Sequence, residues 1–209
     1  MSNFDNVAQT WDSNPIHQQR SEAIAKELLK NLSGKNYTTA LEFGAGTGIL
    51  SILLKDHFSE ITLMDSSQEM VNVANSKIAV GGQSNLKTVY FDLEKENYSA
   101  KTFDVIFTQM VLHHVNDIDS IFNKFSHLIN PGGMLALADL YPEDGSFHGE
   151  GFMGHLGFDP NNLENKLLKI GFDAITYSTC FTIKKIMIDG NNKDFPIFLL
   201  IAHKPKETS

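Results

Sequence analysis

The stretch Leu41-Glu42-Phe43-Gly44-Ala45-Gly46-Thr47-Gly48-Ile49 joins a short apolar run to a segment with helical periodicity. The apolar run, 39–43, predicts a β-strand, and the apolar spacing over 49–57 predicts a helix. Glycines at such a junction permit a tight turn and a close approach to a ligand, because no Cβ intervenes. The free N–H groups at the start of the helix suit a polar ligand. The stretch therefore predicts a ligand-binding loop after the first strand.

The spacing of these glycines separates the common kinds of glycine-rich loop. A dinucleotide-binding loop has the pattern G-x-G-x-x-G and needs a glycine where this chain has Ile49. A phosphate-binding P-loop continues with Gly-Lys-Ser or Gly-Lys-Thr, and here Gly48 is followed by Ile49. The pattern disfavours both a nicotinamide dehydrogenase and a P-loop enzyme.

Strand-like and helix-like segments alternate around this loop, which is typical of an α/β sheet with helices on both faces. The predicted helices are 15–32, 49–57, 68–79, 118–129 and 161–170, and the predicted strands are 39–43, 61–64, 86–91, 103–108, 134–140, 174–188 and 195–203. The last two strands are joined by the turn-rich segment 189–194 without a helix, so they must pair antiparallel. We predict a Rossmann-like, doubly wound, seven-stranded sheet, mostly parallel, with an antiparallel C-terminal hairpin strand.

Two acidic residues follow the second and third predicted strands. Asp65 comes about twenty residues after the first glycine of the loop, where a carboxylate accepts hydrogen bonds from ribose hydroxyls. Asp92 ends the next strand, where it could accept a hydrogen bond from an exocyclic adenine amine. A different interpretation makes both acids N-caps of the segments that follow. The ordered combination of the loop and two acids favours a nucleoside-binding cleft.

On these residues the chain resembles the class I S-adenosylmethionine-dependent methyltransferases. The resemblance runs from about residue 3 to residue 203. It comprises the loop at 41–49, Asp65, Asp92-Leu93, the segments 103–106 and 109–114 around the fourth strand, the turn 130–133, and the antiparallel last strand. The run Leu112-His113-His114 resembles small-molecule enzymes of the quinone-biosynthesis type.

The resemblance implies S-adenosyl-L-methionine as cofactor and S-adenosyl-L-homocysteine as product. It assigns Glu42 to the amino group of the cofactor, directly or through water, and Met70 to the adenine face. It assigns Trp11, in the segment Ala8-Gln9-Thr10-Trp11-Asp12, to a cover over the cleft. The implied cofactor-binding residues are Trp11, Glu42, Gly44, Ala45, Gly46, Gly48, Asp65, Ser66, Met70, Asp92, Leu93, Gln109 and Met110.

Three of these assignments have a purely structural alternative. Glu42 could instead bind the start of the following helix, through its dipole or backbone. Met70 could be a core side chain, and Trp11 an ordinary packing anchor for the first helix.

Residues after the fourth and fifth strands should recognise the methyl acceptor, because ligands of open α/β sheets bind at the carboxyl ends of the strands. The segment 139–160 is rich in glycine and has little periodicity, so we predict a lid or acceptor-binding insert. The candidate catalytic bases are His113, His114 and His148, because histidine titrates near neutrality. Each could also be an ordinary polar side chain.

Two further features of the insert bear on its chemistry. His148 and His155, with Asp139, Glu143 and Asp144 nearby, could suggest a metal, but no recognised zinc spacing occurs and we expect none. Apolar side chains in the same segment predict instead a wall for an organic acceptor, and they are Phe147, Phe152, Met153 and Phe158.

Composition limits the other possibilities. The chain has 209 residues with a formal charge of −8, and Arg20 is its single arginine, which disfavours nucleic acid as a partner. One cysteine, Cys180, cannot form an intrachain disulfide, and the start of the chain lacks the pattern of a secretory leader, so we expect the cytoplasm. The longest apolar stretch near the C-terminus, 195–202, is too short to span a membrane. We expect one domain, 1–209, with an N-terminal helical cap at 1–34.

The sequence therefore predicts a methyltransferase that moves a methyl group from S-adenosylmethionine to a small-molecule acceptor by in-line displacement. A non-catalytic module that binds S-adenosylmethionine or S-adenosylhomocysteine is the alternative, since the cleft residues imply binding rather than turnover. A protein acceptor is left open as well, and the acceptor itself, the atom methylated and the oligomeric state lie beyond what these patterns specify.

Overall fold

The computed structural model describes residues 4–206, and within them one seven-stranded sheet is flanked by five α-helices. The helices are α1 (Pro15–Leu32), α2 (Ile49–Leu54), α3 (Gln68–Gly81), α4 (Ile118–Leu128) and α5 (Pro160–Lys169). The strands are β1 (Thr39–Phe43), β2 (Glu60–Asp65), β3 (Leu86–Tyr90), β4 (Phe103–Gln109), β5 (Ile129–Leu140), β6 (Asp173–Ile186) and β7 (Asn192–His203). A short 3-10 helix, Ala8–Ser13, precedes α1.

The strands lie in the order β3-β2-β1-β4-β5-β7-β6. The first five pair in parallel, whereas β7 runs antiparallel to both β5 and β6. The chain moves outward from β1 to β3 and then returns to place β4 on the other side of β1, with Ala40 opposite Val105. This reversal leaves a crevice at the carboxyl ends of β1 and β4. The predicted fold is confirmed, including the antiparallel hairpin.

Alternate residues of the central strands enter two hydrophobic cores, one on each face of the sheet. In β1, Ala40 faces the core formed with α1 and α2, while Leu41 and Phe43 face the core formed with α4 and α5. Because both faces of a parallel strand are covered, the sequence of such a strand is a continuous apolar run. The two cores hold the crevice between rigid elements.

The predicted boundaries of two elements differ from the structure. The helix expected over 49–57 ends at Leu54 and continues as a 3-10 turn, Lys55–His57. The turn expected at 130–133 is instead an irregular part of β5, where the register with β4 shifts between Phe103 and Val105. A Cβ on Gly133 would lie 2.6 Å from the carbonyl oxygen of Asp104, so this bulge needs the glycine.

The division into a cap at 1–34 and a lid at 139–160 stays a prediction, and residues 1–3 and 207–209 of the expected domain lie outside the described residues. Over residues 4–206, no helix combines the length and the apolar character that crossing a bilayer requires.

Glu42 connects β1 to the first turn of α2. Its side chain is fully buried, and its Oε2 accepts hydrogen bonds from the N–H of Ser51 at 3.1 Å and from the Ser51 hydroxyl at 2.5 Å. The other oxygen, Oε1, is buried without a hydrogen-bond partner among residues 4–206. Burial raises the pKa of Glu42 to about 8, against the opposing effect of the two Ser51 hydrogen bonds. Glu42 is therefore mostly protonated at pH 7.

Replacing Glu42 with glutamine should remove a pH dependence of stability. Because the pKa of Glu42 is raised in the folded chain, the folded state binds more protons than the unfolded state between about pH 5 and pH 8. The wild-type free energy of unfolding should therefore fall, relative to Glu42→Gln, by about 1 kcal/mol per pH unit over this range. Urea unfolding at several pH values measures the difference. The exposed Glu22→Gln is the control, and parallel curves for Glu42→Gln and wild type would contradict the assignment.

Candidate functional site

A cavity of 380 Å³ opens at the carboxyl ends of β1, β2 and β4, where the strand order reverses. This volume is within the range of small-molecule sites. The wall includes most of the residues that the sequence assigns to the cofactor, namely Trp11, Gly44, Ala45, Gly46, Asp65, Ser66, Met70, Asp92, Leu93, Gln109 and Met110. Glu42 and Gly48 are the two that do not line the cavity.

The loop after β1 is held in its bent form by Asp65. The N–H of Gly46 donates to Asp65 Oδ2 at 2.7 Å, and the N–H of Ser67 donates to Oδ1 at 2.8 Å. Gly44 has a φ of 68°, and a Cβ there would lie 2.4 Å from Val111, so the loop can pass β4 only as glycine. Burial raises the pKa of Asp65, while the hydrogen bonds from Ser67 and Gly46 oppose this. Asp65 thus faces the cavity with its orientation already fixed.

The alternative interpretation, in which Asp65 and Asp92 cap the segments that follow them, is wrong for Asp65 and partly right for Asp92. The N-cap of α3 is Ser67, whose hydroxyl oxygen accepts from the N–H of Met70, so Asp65 is not the cap. Asp92 does organise the turn that follows it, since its carboxylate accepts from the N–H of Glu94 at 3.1 Å and from Lys95 Nζ at 2.6 Å. Asp92 therefore combines a structural role with its place in the cavity wall.

Glu42 is not available in the cleft, because it lies behind the loop with its carboxyl group against Ser51. This contact with the start of α2 is the alternative that the sequence allowed. Met70 is both a core side chain and part of the cavity wall, since it is only 2% exposed and also lines the cavity.

The N-terminal segment is fastened across the cavity by two aspartates. Asp12 accepts from the Thr47 hydroxyl at 2.5 Å and forms an ion pair with Lys77 at 2.5 Å. Asp5 accepts from the hydroxyl of Ser67 at 2.6 Å. These contacts hold the Ala8–Ser13 turn over the glycine loop.

Trp11 is held within this cover by aromatic contacts. Its ring stacks on His17 at 4.1 Å, and His17 Nδ1 lies 2.9 Å from the Trp11 carbonyl oxygen. Phe4 packs edge-on against Trp11. Trp11 therefore both lines the cavity and anchors the turn that covers it.

The end of β4 carries an unusual backbone conformation. Met110 has a φ of 55°, which costs a non-glycine residue roughly 1 kcal/mol or more and is concentrated at functional sites. Its N–H donates to Ala138 in β5 at 2.8 Å. The side chain of the preceding Gln109 hydrogen-bonds to Ser21 of α1 at 3.0–3.1 Å. Both residues are therefore fixed before any ligand binds.

Arg20 lies in the cavity wall, although no sequence motif assigns it there. It is 7% exposed, and its side chain forms no hydrogen bond or ion pair with any residue from 4 to 206. Burial lowers the pKa of Arg20 to about 10, and the charge of Asp139 opposes the shift, so the side chain is cationic at pH 7. Its spacing of four from Ile16 and Ile24 is the signal that it lies on the buried face of α1.

The three candidate histidines meet at the end of the cavity that lies away from Asp65 and Asp92. His113 and His114 belong to the 3-10 turn after β4, and His148 comes from the insert. The centroid of the His113 ring lies 4.2 Å from that of His114 and 4.9 Å from that of His148. Asp139, at the end of β5, accepts a hydrogen bond from His113 Nδ1 at 2.7 Å, and both side chains are buried. Their convergence confirms none of the catalytic roles, which stay predictions.

Two of these imidazoles are neutral at pH 7. Burial, with the neighbouring His113 and His148, lowers the pKa of His114 to about 4. Burial, with His113 and Lys185, likewise lowers the pKa of His148 to about 4. Their ring nitrogens therefore carry lone pairs near neutral pH.

The insert at 139–160 contributes less of its sequence to the cavity than expected. Phe147 lines the cavity and Phe152 stacks on His148 at 3.8 Å, but Met153 is 94% exposed and is not part of an apolar wall. The other polar side chains of the insert bind elsewhere: His155 contacts the Val115 carbonyl oxygen, and Asp144 pairs with Lys193. The ligand set considered around His148 and His155 is therefore not assembled.

Residues 16–177 match the sequence model of a methyltransferase domain family. The chain is 34% identical, over 138 residues, to a malonyl-acyl-carrier-protein O-methyltransferase of Ilyobacter polytropus, covering 65% of this chain and 50% of that protein. It is 30% identical, over 143 residues, to a ubiquinone biosynthesis O-methyltransferase of Coxiella burnetii, covering 65% and 58%. The chain thus spans about half the length of the curated relatives it matches.

Solved structures share the fold at low sequence identity. An N-methyltransferase, NodS of Bradyrhizobium japonicum, aligns with a TM-score of 0.69 at 19% identity, covering 93% of this chain and 99% of that one. A phosphoethanolamine N-methyltransferase of Haemonchus contortus, solved with S-adenosyl-L-methionine, aligns with a TM-score of 0.70 at 15% identity, covering 99% and 61%. The domain match assigns the chain to the methyltransferase domain family, and its strand order and the solved structures show that it has the class I methyltransferase fold.

Proposed function

We propose that this protein transfers the methyl group of S-adenosyl-L-methionine to a small-molecule acceptor. The observation that carries the proposal is the open cavity beside the glycine loop, with Asp65 fixed in its wall. A Cβ on Gly46 would have only Met70 Sδ within 4 Å, at 3.9 Å, so the loop leaves room for a ligand on its cavity side. The buried Nε of Arg20, which lacks a hydrogen-bond partner among residues 4–206, is a second sign that a polar ligand belongs there.

The two ends of the cavity suit the two ends of this cofactor. Asp65 keeps lone pairs for two ribose hydroxyls, and Met70, Leu93 and Asp92 line the side where the adenine would lie. Arg20 offers a buried positive charge to the carboxylate of the methionine part. The backbone carbonyls of Gln109 and Met110 would accept from its amino group.

When bound, the cofactor supplies a methyl group on a positively charged sulfur, and the acceptor displaces it in line. No covalent intermediate with the protein is needed, so the chain's task is orientation and exclusion of water. The N-terminal segment covers the cavity through Asp12 and Thr47, which limits access of water. His113, His114 and His148 are the groups at the acceptor end that can take up a proton.

The acceptor is proposed to be a small molecule because the cavity, at 380 Å³, has the size of a small-molecule site. The relatives from Ilyobacter and Coxiella are both named as O-methyltransferases, the first of malonyl-acyl-carrier protein and the second of ubiquinone biosynthesis. Their names support methyl transfer by a chain of this kind. They do not select one acceptor class.

Isothermal titration calorimetry should detect binding of S-adenosylhomocysteine in the micromolar range and no binding of NAD. Release of S-adenosylhomocysteine from S-adenosylmethionine in the presence of a metabolite pool, measured by mass spectrometry, then separates an enzyme from a non-catalytic binding module. Binding of NAD without binding of S-adenosylhomocysteine would overturn the proposal. Binding of S-adenosylhomocysteine, with no methyl transfer to any compound of the pool, would favour the non-catalytic binding module.

Asp65→Ala should weaken S-adenosylhomocysteine binding at least about tenfold, because hydrogen bonds to a charged acceptor contribute roughly 1.5–3 kcal/mol each. Asp65→Asn keeps the size of the side chain and should also weaken binding. Circular dichroism checks that both variants fold, and the exposed Asp173→Ala is the matched control. Unchanged affinity in both Asp65 variants would contradict the placement of the ribose.

Arg20→Gln should weaken binding of S-adenosylhomocysteine about tenfold or more, because a charge-assisted hydrogen bond to its carboxylate is lost. Binding of 5′-methylthioadenosine, which lacks that carboxylate, should be unchanged. Calorimetry with the two ligands measures the difference. An equal loss for both ligands, or for neither, would show that Arg20 does not bind the methionine carboxylate.

A further inference from the structure

Three imidazole side chains converge at the acceptor end of the cavity, and three imidazoles are a common set of metal ligands. His113, His114 and His148 each offer one ring nitrogen, and these three atoms all lie within 4.8 Å of one another. Imidazole nitrogen is the ligand that zinc, cobalt, nickel and copper ions accept most readily in proteins. The sequence suggests these three residues as candidate bases but does not predict that they meet, because His148 comes from a separate segment.

The buried Asp139 orients one of the ligands. It accepts from the Nδ1 of His113 at 2.7 Å, and it is itself held by the N–H groups of Leu140 at 2.8 Å and His113 at 3.3 Å. With the proton on Nδ1, the Nε2 of His113 keeps its lone pair. A carboxylate that accepts from the second nitrogen of a histidine is the usual support of a metal-bound imidazole.

The other two rings are positioned by aromatic contacts and not by hydrogen bonds. His148 stacks on Phe152 at 3.8 Å with an interplanar angle of 16°, and Phe4 packs edge-on against His114 at 5.2 Å. Across the part of the chain that the structure describes, no protein group hydrogen-bonds to the ring nitrogens of His114 or His148. These nitrogens are free to bind a ligand.

We propose that His113, His114 and His148 bind a divalent transition-metal ion of the zinc, cobalt or nickel class at the acceptor end of the cavity. A tetrahedral ion with bonds of about 2.0–2.1 Å places its ligand nitrogens about 3.3 Å apart. The present spread of up to 4.8 Å closes if His148 moves inward, and His148 is exposed on the stretch 141–159, which contains neither helix nor strand. Three protein ligands leave the fourth position open toward the cavity.

This site deepens the proposed function, and its catalytic meaning rests on that function. An ion in the open wall would hold an oxygen, nitrogen or sulfur atom of the acceptor and make its proton more acidic. The histidines would then act as metal ligands in place of proton acceptors. The acceptor class that fits is a compound with a metal-binding hydroxyl, carboxylate, thiol or amine group.

The test is metal binding by the full chain, with no acceptor needed. Protein treated with EDTA is titrated with Co²⁺, followed by its visible absorption, and with Zn²⁺ in competition. We expect one ion per chain. Asp139→Asn should weaken binding about 10- to 100-fold, and His148→Ala by at least as much. His127→Ala, which changes an exposed histidine of α4, should leave binding unchanged.

Several outcomes would overturn the metal site. These are no binding at submillimolar Co²⁺ or Zn²⁺, more than one ion per chain with equal affinity, or binding that His148→Ala and His114→Ala leave unchanged. His148 is exposed, so its variant should fold, and circular dichroism checks this. Calorimetry with S-adenosylhomocysteine on the same samples tests the proposed function separately. Binding of S-adenosylhomocysteine without binding of metal would contradict the metal site alone. Binding of metal without binding of S-adenosylhomocysteine would contradict the cofactor proposal alone.

Discussion

The hydrogen bond from the Gly46 N–H to the Asp65 carboxylate, 2.7 Å long, ties the loop after β1 to the end of β2. The two groups meet because the carboxyl ends of neighbouring parallel strands lie at one edge of the sheet. The loop, with φ values of 68° at Gly44 and 55° at Gly46, is also held by the N–H of Ala45, which donates to the Met64 carbonyl oxygen at 3.0 Å, and by the bond from Thr47 to Asp12. Since the loop is fixed in advance, a ligand gains binding energy without the cost of ordering it.

The cavity is divided by charge as well as by position. Asp65 and Asp92 line one end, whereas Arg20 and the histidines line the other parts of the wall. Because Arg20 is buried and unpaired within residues 4–206, it favours an anionic group at a defined place. A ligand with a nucleoside at one end and a carboxylate at the other satisfies both parts of this wall.

Most of the fold could be predicted because its signals are local. The glycine stretch at 41–49, the alternation of apolar runs, and the turn-rich link before Phe195 each mark one element and need no long-range information. The position of Asp65 could be predicted for the same reason, since this residue directly ends a strand. The bulge around Gly133 was not, because it depends on a register shift against β4 that no local pattern contains.

The parts of the site that could not be predicted depend on contacts between distant segments. The sequence left the role of Glu42 open between the cofactor and the start of α2, and it did not identify Ser51 as the partner, because Ser51 looks like any polar helix residue. The cluster of His113 with His148 requires a segment without periodicity to fold back onto the end of β4. Exposure of Met153 likewise follows from the path of that segment, which residue types alone do not determine.

The insert after β5 is attached to the terminal hairpin and also to the turn after β4, where the N–H of His155 donates to the His113 carbonyl oxygen at 2.8 Å. Lys193 of β7 pairs with Asp144 at 2.5 Å and contacts the hydroxyl of Ser146, and Lys185 of β6 donates to the Phe147 carbonyl oxygen at 2.5 Å. Across residues 4–206, none of these hydrogen bonds reaches β1, β2 or β3. A change in the insert or the hairpin would therefore reshape the histidine end of the cavity and leave the end lined by Asp65 and Asp92 as it is.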